Sequence, residues 1–295
     1  MKTFFQAASL CFAILIFVLY HSDVRSMQRC LMSANRTPAS ATQMPIGAYY
    51  QSYRQPKAFL HAVSSFRTHY PDSTLVVTSD NGFDYSSYIE SMSGVFIASN
   101  DHIAQKNAGY FANVQDAVTY LQRFLQGVDK IDEDYFILLE DDVMIYGQVS
   151  FDTLQWDITG TGTYGRFDAE TVQHLRKYNA NVADDQYYSG CGGSIFNTTF
   201  MKRFMSVDLQ KEISEYQPYA PELASDLILS YLVLKYGGTV GGPGNESCEV
   251  SVPHYQDMVL RGTVKVVHQY KSFYDEALSP QEEAVLQLTP PPLQL

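Results

Sequence analysis

Between Ile46 and Leu139 the chain alternates short continuous apolar runs with longer segments whose apolar residues recur at helical spacing. No other feature restricts the fold as much. "IGAYY" opens the series as a strand, and "PKAFLHAVSSFRTHYP" follows with Phe59, Leu60, Val63 and Phe66 on one helical face. "DSTLVVTSDNG" is an unbroken apolar run that ends in a turn, the pattern of a strand covered on both faces. "GVFIAS" is a third strand, "NVQDAVTYLQRFLQGV" a helix with Val114, Ala117, Val118, Leu121, Leu125 and Val128 on one stripe, and "DYFILLED" a fourth strand. Strands alternating with helices predict an α/β fold with a doubly wound, mostly parallel sheet and right-handed crossovers. Ligands of such sheets bind at the carboxyl ends of the strands, where "TSDNG" and "EDD" both lie.

That placement gives a purpose to an unfavourable arrangement. Glu140, Asp141 and Asp142 are consecutive carboxylates beside a buried strand, and they repel one another unless a cation, a cationic partner or a proton compensates. A solvated acidic turn is the bland explanation. The functional one is a divalent cation, because hard oxygen ligands suit Mg²⁺ or Mn²⁺, and either ion can offset the charge of a departing diphosphate. Strand alternation sends Asp142 to the side of Glu140 and Asp141 to the other. Asp142 is the first expected ligand, Glu140 a further one, and Asp141 faces a ribose or water.

The second half is less regular. Residues 148–187 carry weak patterns, then "YYSGCGGSIFNTTFMKRF" offers a glycine-rich turn into a strand and helix. "APELASDLILSYLVLKYGG" is helical, with Pro221 in its first turn, Glu222 and Asp226 one turn apart and Gly237-Gly238 as its stop. "GTVKVVHQYKSFY" is a strand ending at His268, and residues 276–295 are a tail.

A length of 295 residues with 45% hydrophobic content suits one large domain with appendages, and 20 Lys and Arg against 32 Asp and Glu give a net charge of −12, the wrong sign for neutralising nucleic-acid phosphates. The 22 tyrosines suit sugar-stacking surfaces as well as cores. At the N-terminus an uncharged run from Thr3 to Tyr20 would reach roughly 27 Å as a helix, enough to cross a bilayer. No small-x-small cleavage site follows it in "LYHSDVRS", which favours an uncleaved signal anchor over residues 4–20 and a polar stem over 21–45. Lys2 favours a cytoplasmic tail at residues 1–3, against Arg25, Arg29 and Arg36 beyond the span. Three sequons, at Asn35, Asn197 and Asn245, are usable if the body is lumenal. Cys191 and Cys248 are the two body cysteines, either a disulfide in an oxidising lumen or two free thiols.

With these pieces in place, the sequence resembles the metal-dependent, nucleotide-sugar glycosyltransferases of the GT-A fold. "LLEDDV" looks like their DxD-type motif in an EDD form, "VVTSDNGFD" like the strand end whose Asp meets the nucleotide base, and "GYFANVQDAV" like the segment that opens a donor-lining helix. The resemblance implies Asp80 and Asn113 at the nucleotide, with Asp141 beside them. It further implies Gly192 and Gly193 of "YYSGCGGSIF" against the donor sugar, and Asp226, with Glu222 nearby, as the base of inverting members. It also implies His268 of "VKVVHQY" completing a Mn²⁺ or Mg²⁺ site, with His254 as the rival ligand. A Rossmann-like nucleotide half over residues 46–147 and an acceptor half over 148–275 follow. So do a UDP-sugar donor, a glycan or glycoprotein acceptor, and a type II single-pass location in the Golgi or ER membrane. Sugar-nucleotide pyrophosphorylases and haloacid-dehalogenase-type phosphatases lack support, since their signatures are missing. A non-catalytic anchored sugar-binding or scaffold protein is the rival from another class.

Overall fold

The computed structural model describes residues 45–52, 56–79, 85, 94–98, 109–160, 165–220, 222–241, 246–251 and 253–269. The expected anchor and stem, Asp80, Asn35, Asn245, Pro221 and the C-terminal tail lie outside them. Among the described residues no helix is long and apolar enough to cross a membrane.

The first half follows the alternation closely: β1 (Gly47–Ser52), α1 (Pro56–His69), β2 (Leu75–Ser79), β3 (Gly94–Ala98), α2 (Val114–Val128) and β4 (Tyr135–Leu139). These strands form a parallel array in the order β3-β2-β1-β4, with Tyr49 opposite Val76 on one side and Leu138 on the other. Because successive strand residues point to opposite faces, each strand feeds two cores. Tyr49, Val76, Phe136 and Leu138 meet Leu121 and Phe124 of α2, while Tyr50, Leu75, Val77 and Ile137 meet Phe59, Val63 and Phe66 of α1. Every residue of β2 is buried, as its unbroken apolar sequence requires. Helix α2 starts where Asn113 Oδ1 accepts from Asp116 N at 3.0 Å. It lies so close to the sheet that a Cβ on Gly127 would stand 2.4 Å from the Tyr49 ring.

The second half adds antiparallel strands, of which the glycine-rich segment predicted the one at Ile195–Asn197 and the weakly patterned stretch 148–187 did not predict the one at Ile158–Thr159. β7 (Ile195–Asn197) runs antiparallel to β4, and β6 (Ile158–Thr159) antiparallel to β7, completing a six-stranded sheet. Phe136 and Phe196, opposite one another across β4 and β7, stack at 5.0 Å. Asn197 caps the next helix by accepting from Phe200 N. Helices α3 (Ala169–Leu175), α4 (Thr198–Lys202), α5 (Leu209–Tyr216) and α6 (Ser225–Lys235) complete the first core. A separate three-stranded sheet has the order β5-β9-β8, from β5 (Met144–Ile145), β8 (Ser247–Glu249) and β9 (Val266–His268), with α7 (Tyr255–Leu260) between the last two in sequence. The fold is mixed α/β with a parallel-rich main sheet.

Helix α6 is shorter at its start than its apolar pattern suggests. It begins at Ser225, because the preceding residues pair with the 109–111 segment instead: Phe111 N donates to Leu223 O, Ser225 N to Gly109 O, and Tyr110 bridges Ala224. Glu222 is therefore not a helical residue one turn before Asp226, and Asp226 is the acid in the first turn. The helix stops as its sequence demands. Gly237 takes φ +82°, Gly238 N donates to Val233 O and Gly237 N to Leu234 O, the paired bonds of a Schellman end.

Candidate metal and donor site

The chain runs from β1 out to β3 and then returns to the other side of β1 as β4. The crevice between the carboxyl ends of β1 and β4 is thus a topological switch point, the place where open α/β sheets bind ligands. Glu140, Asp141 and Asp142 leave the end of β4 at this point. The triplet divides there. Asp141 is buried and accepts a hydrogen bond from the Tyr50 hydroxyl of β1, a partner that no local spacing in the chain foreshadows.

Glu140 and Asp142 turn instead to His268 at the end of β9, whose Nε2 lies 3.6 Å from Glu140 Oε2 and 3.5 Å from Asp142 Oδ1. One ligand atom from each of the three lies within 4.8 Å of the other two, the only such trio found among the described residues. These contacts are too long for hydrogen bonds. They are short enough for all three groups to hold one ion, and a set of two carboxylates and an imidazole fits a divalent metal such as Mn²⁺. Burial alone would lower the basicity of His268, but interactions with Cys191 and Glu140 outweigh it and hold the imidazole well above its ordinary value. His254, the rival ligand, stands apart with an 84% exposed side chain beside Asp257.

The glycine-rich turn closes the site. A Cβ on Gly192 would stand 2.6 Å from Glu140 Oε2 and 3.0 Å from His268 Cδ2, so the turn approaches the carboxylate through bare backbone. Gly193 supplies φ +80° and donates its N–H to Leu138 O, which fixes the turn against β4. Cys191 and Cys248 are both free thiols, which settles the disulfide question against pairing. Cys191 Sγ lies 3.9 Å from His268 Nδ1, whereas Cys248 is buried among Val264 and Val267 on β8. Burial raises the pKa of both thiols.

Gly190, at φ +134°, approaches the Cα of Asp226 to within 3.2 Å as measured from the position of an added Cβ, so the same turn reaches the start of α6. Asp226 Oδ1 accepts from Leu227 N at 2.8 Å. Burial pushes its carboxyl above the usual range; Leu227 N opposes the rise, and Glu140 and Glu222 add to it. Beside it, exposed Tyr110 feels chiefly Glu222, and half-buried Tyr188, raised mainly by burial, feels Asp226 next. Asn113 spends its side chain on α2, accepting from Asp116 N and donating to Asp116 Oδ2.

No protein-family model matches the sequence, and no curated protein sequence matches it. Solved structures resemble it loosely. A galactosyltransferase LgtC in complex with donor and acceptor sugar analogs is 17% identical, with a TM-score of 0.44 over 76% of this chain and 86% of that one. The glycosyltransferase GlyE of Streptococcus pneumoniae TIGR4 is 13% identical, with a TM-score of 0.40 over 82% of this chain and 59% of that one. Mouse xyloside xylosyltransferase 1 in its apo form is 11% identical, with a TM-score of 0.42 over 75% of this chain and 96% of that one. Likenesses this loose carry no argument about the chain, whose reading rests on its own topology and residues.

Proposed function

We propose that the chain is a glycosyltransferase of the GT-A kind, moving a sugar from a nucleotide-diphosphate donor, a UDP-sugar, to a glycan or glycoprotein acceptor. The observation that carries this reading is the convergence of Glu140, Asp142 and His268 at the switch point of a parallel sheet. The EDD motif and the donor-lining segment at Asn113 support it from the sequence. In this reading Glu140, Asp142 and His268 hold Mn²⁺ or Mg²⁺, and a bound ion supplies positive charge against the leaving diphosphate. Asp80 serves the nucleotide, Asp141, held by the Tyr50 hydroxyl, backs the ribose side of the site, and Asn113 fixes where the helix lining the donor begins. Gly192 and Gly193 keep side chains out of the space for the donor sugar. Asp226, anchored through one oxygen, takes the proton of the acceptor hydroxyl, and a carboxyl raised by burial is a better base for that step than a solvated one. An N-terminal anchor in the Golgi or ER membrane, with the body lumenal, belongs to the same proposal.

The test is a screen of nucleotide-sugar hydrolysis and transfer with Mn²⁺. The expected result is turnover of one donor that disappears with chelator and in Asp142→Ala. Metal-dependent nucleotide binding without turnover of any donor would favour a sugar-binding scaffold. If neither metal nor nucleotide raises thermal stability at high concentration, the proposal fails.

A further inference from the structure

His268 presents two edges to two different groups of partners. Nε2 faces Glu140 and Asp142, while Nδ1 faces Glu249 Oε1 at 3.8 Å and Cys191 Sγ at 3.9 Å. Glu249 is there because of the backbone. β8 and β9 pair in parallel with Glu249 opposite His268, and Val250 N donates to His268 O at 3.1 Å. Ser251 Oγ donates to Glu249 Oε2, which leaves Oε1 buried without a hydrogen bond among the described residues. A buried carboxylate oxygen in that state is costly unless a donor comes to it.

An imidazole that binds a cation through Nε2 carries its proton on Nδ1, and that N–H needs an acceptor. A carboxylate is a far stronger acceptor than thiol sulfur. We infer that Glu249 is a positioning residue for the metal centre: when the cation binds, its buried carboxylate closes the 3.8 Å gap to His268, accepts a hydrogen bond from Nδ1–H and so aims Nε2 at the cation held with Glu140 and Asp142. The inference rests on the reading of those three residues as a divalent-cation site. It goes beyond that reading by assigning a role to a residue outside the acidic motif, nineteen positions upstream of the histidine it serves.

The experiment measures Mn²⁺ affinity by titration followed by electron paramagnetic resonance, on the full chain and on Glu249→Leu and Glu249→Gln. Thermal unfolding is recorded without metal, and ¹⁵N spectra of labelled histidine are recorded with diamagnetic Zn²⁺. Glu249→Leu is expected to weaken Mn²⁺ binding by about 10–100-fold, the range for losing such a partner. Glu249→Gln, whose amide oxygen still accepts, loses less. The metal-free melting temperature of neither variant falls, and the Zn²⁺ spectra give His268 a protonated Nδ1 and a ligated Nε2. Three results would overturn the inference: wild-type affinity in Glu249→Leu, weakened binding matched by metal-free destabilisation that Gln does not relieve, or ligation through Nδ1. If the wild-type chain binds no Mn²⁺, the metal-site reading fails and takes this inference with it, an outcome distinct from equal binding by wild type and variant.

Discussion

Two partly buried charged clusters in this molecule are built on opposite terms. Under α3, α5 and α6, Lys235 Nζ lies 2.6 Å from Glu212 and 2.9 Å from Glu215, and its ammonium sits 4.6 Å over the Tyr178 ring. The Tyr178 hydroxyl donates to Glu215, and His174, whose basicity burial lowers, meets the Tyr231 hydroxyl at 3.0 Å. The groups are at hydrogen-bonding length and the cation is supplied by the chain. At the end of β4 the balance is reversed: Glu140, Asp142 and Glu249 surround one imidazole at 3.5 to 3.8 Å, each contact longer than a hydrogen bond. The first cluster draws its cation from its own covalent chain. The second carries more negative charge than the chain compensates, the arrangement expected where a cation is to be bound.

The largest effect expected from breaking this contrast lies in the first cluster. Lys235→Ala leaves Glu212 buried beside no cation, and is expected to cost about 3–5 kcal/mol of stability, measured by denaturant unfolding, with Mn²⁺ affinity unchanged. Asp142→Ala should do the reverse. Mn²⁺ affinity drops by about 100-fold or more, about 2.8 kcal/mol, and the metal-free protein loses no stability because a like charge has been removed. If Asp142→Ala destabilises the metal-free chain as Lys235→Ala does, the two clusters are of one kind and the contrast is wrong.

How far each cluster was legible in the sequence follows the same division. The parallel strands and α2 were readable because burial on both faces writes unbroken apolar runs, and Val114 to Val128 carry an uninterrupted stripe. Glu140, Asp142 and His268 were readable as chemistry, since adjacent carboxylates need a reason and a lone histidine ended a strand pattern. Glu249 and Tyr50 were not, because their roles are created by strand pairing: Glu249 opposite His268 in β8 and β9, and Tyr50 opposite Leu139, at the strand end beside Asp141. No local spacing records either contact. Glu222 was misplaced for a related reason, since residues 109–111 claim the backbone that helical periodicity alone would assign to α6.

A subtler break concerns the glycine turn. Gly192 does not have the left-handed backbone of Gly193, so alanine is conformationally acceptable there, and its methyl would meet the movable end of Glu140 at 2.6 Å. Gly192→Ala is expected to fold with little loss and to bind Mn²⁺ about tenfold more weakly, about 1.4 kcal/mol. Gly193→Ala, by contrast, should cost stability first, because φ +80° strains any side chain. Equal metal affinity in Gly192→Ala and wild type would mean that Glu140 is not a ligand.

The smallest effect is the most specific in its pH dependence. Asp226 has a carboxyl raised above its ordinary 3.8, first by burial, against the opposing bond from Leu227 N, and then by Glu140 and Glu222. The native chain therefore binds this proton more tightly than the unfolded chain. Stability from Asp226 is fully present below the unfolded value and is lost as pH rises through the raised native one. At neutral pH the charged, half-buried form is a net cost. Asp226→Asn removes that cost, and is expected to raise stability at about pH 7 by about 0.5–2 kcal/mol, the usual range for a single stabilising change. The gain should shrink toward zero as the solution is acidified past the raised native value, because the wild-type carboxyl is then neutral too. Under the proposed mechanism the same variant keeps Mn²⁺ affinity and loses sugar transfer, so a stabilised, metal-binding, inactive protein is the combined signature. A gain that grows on acidification reverses the sign and removes Asp226 as a half-buried carboxylate held at a cost for use as a base.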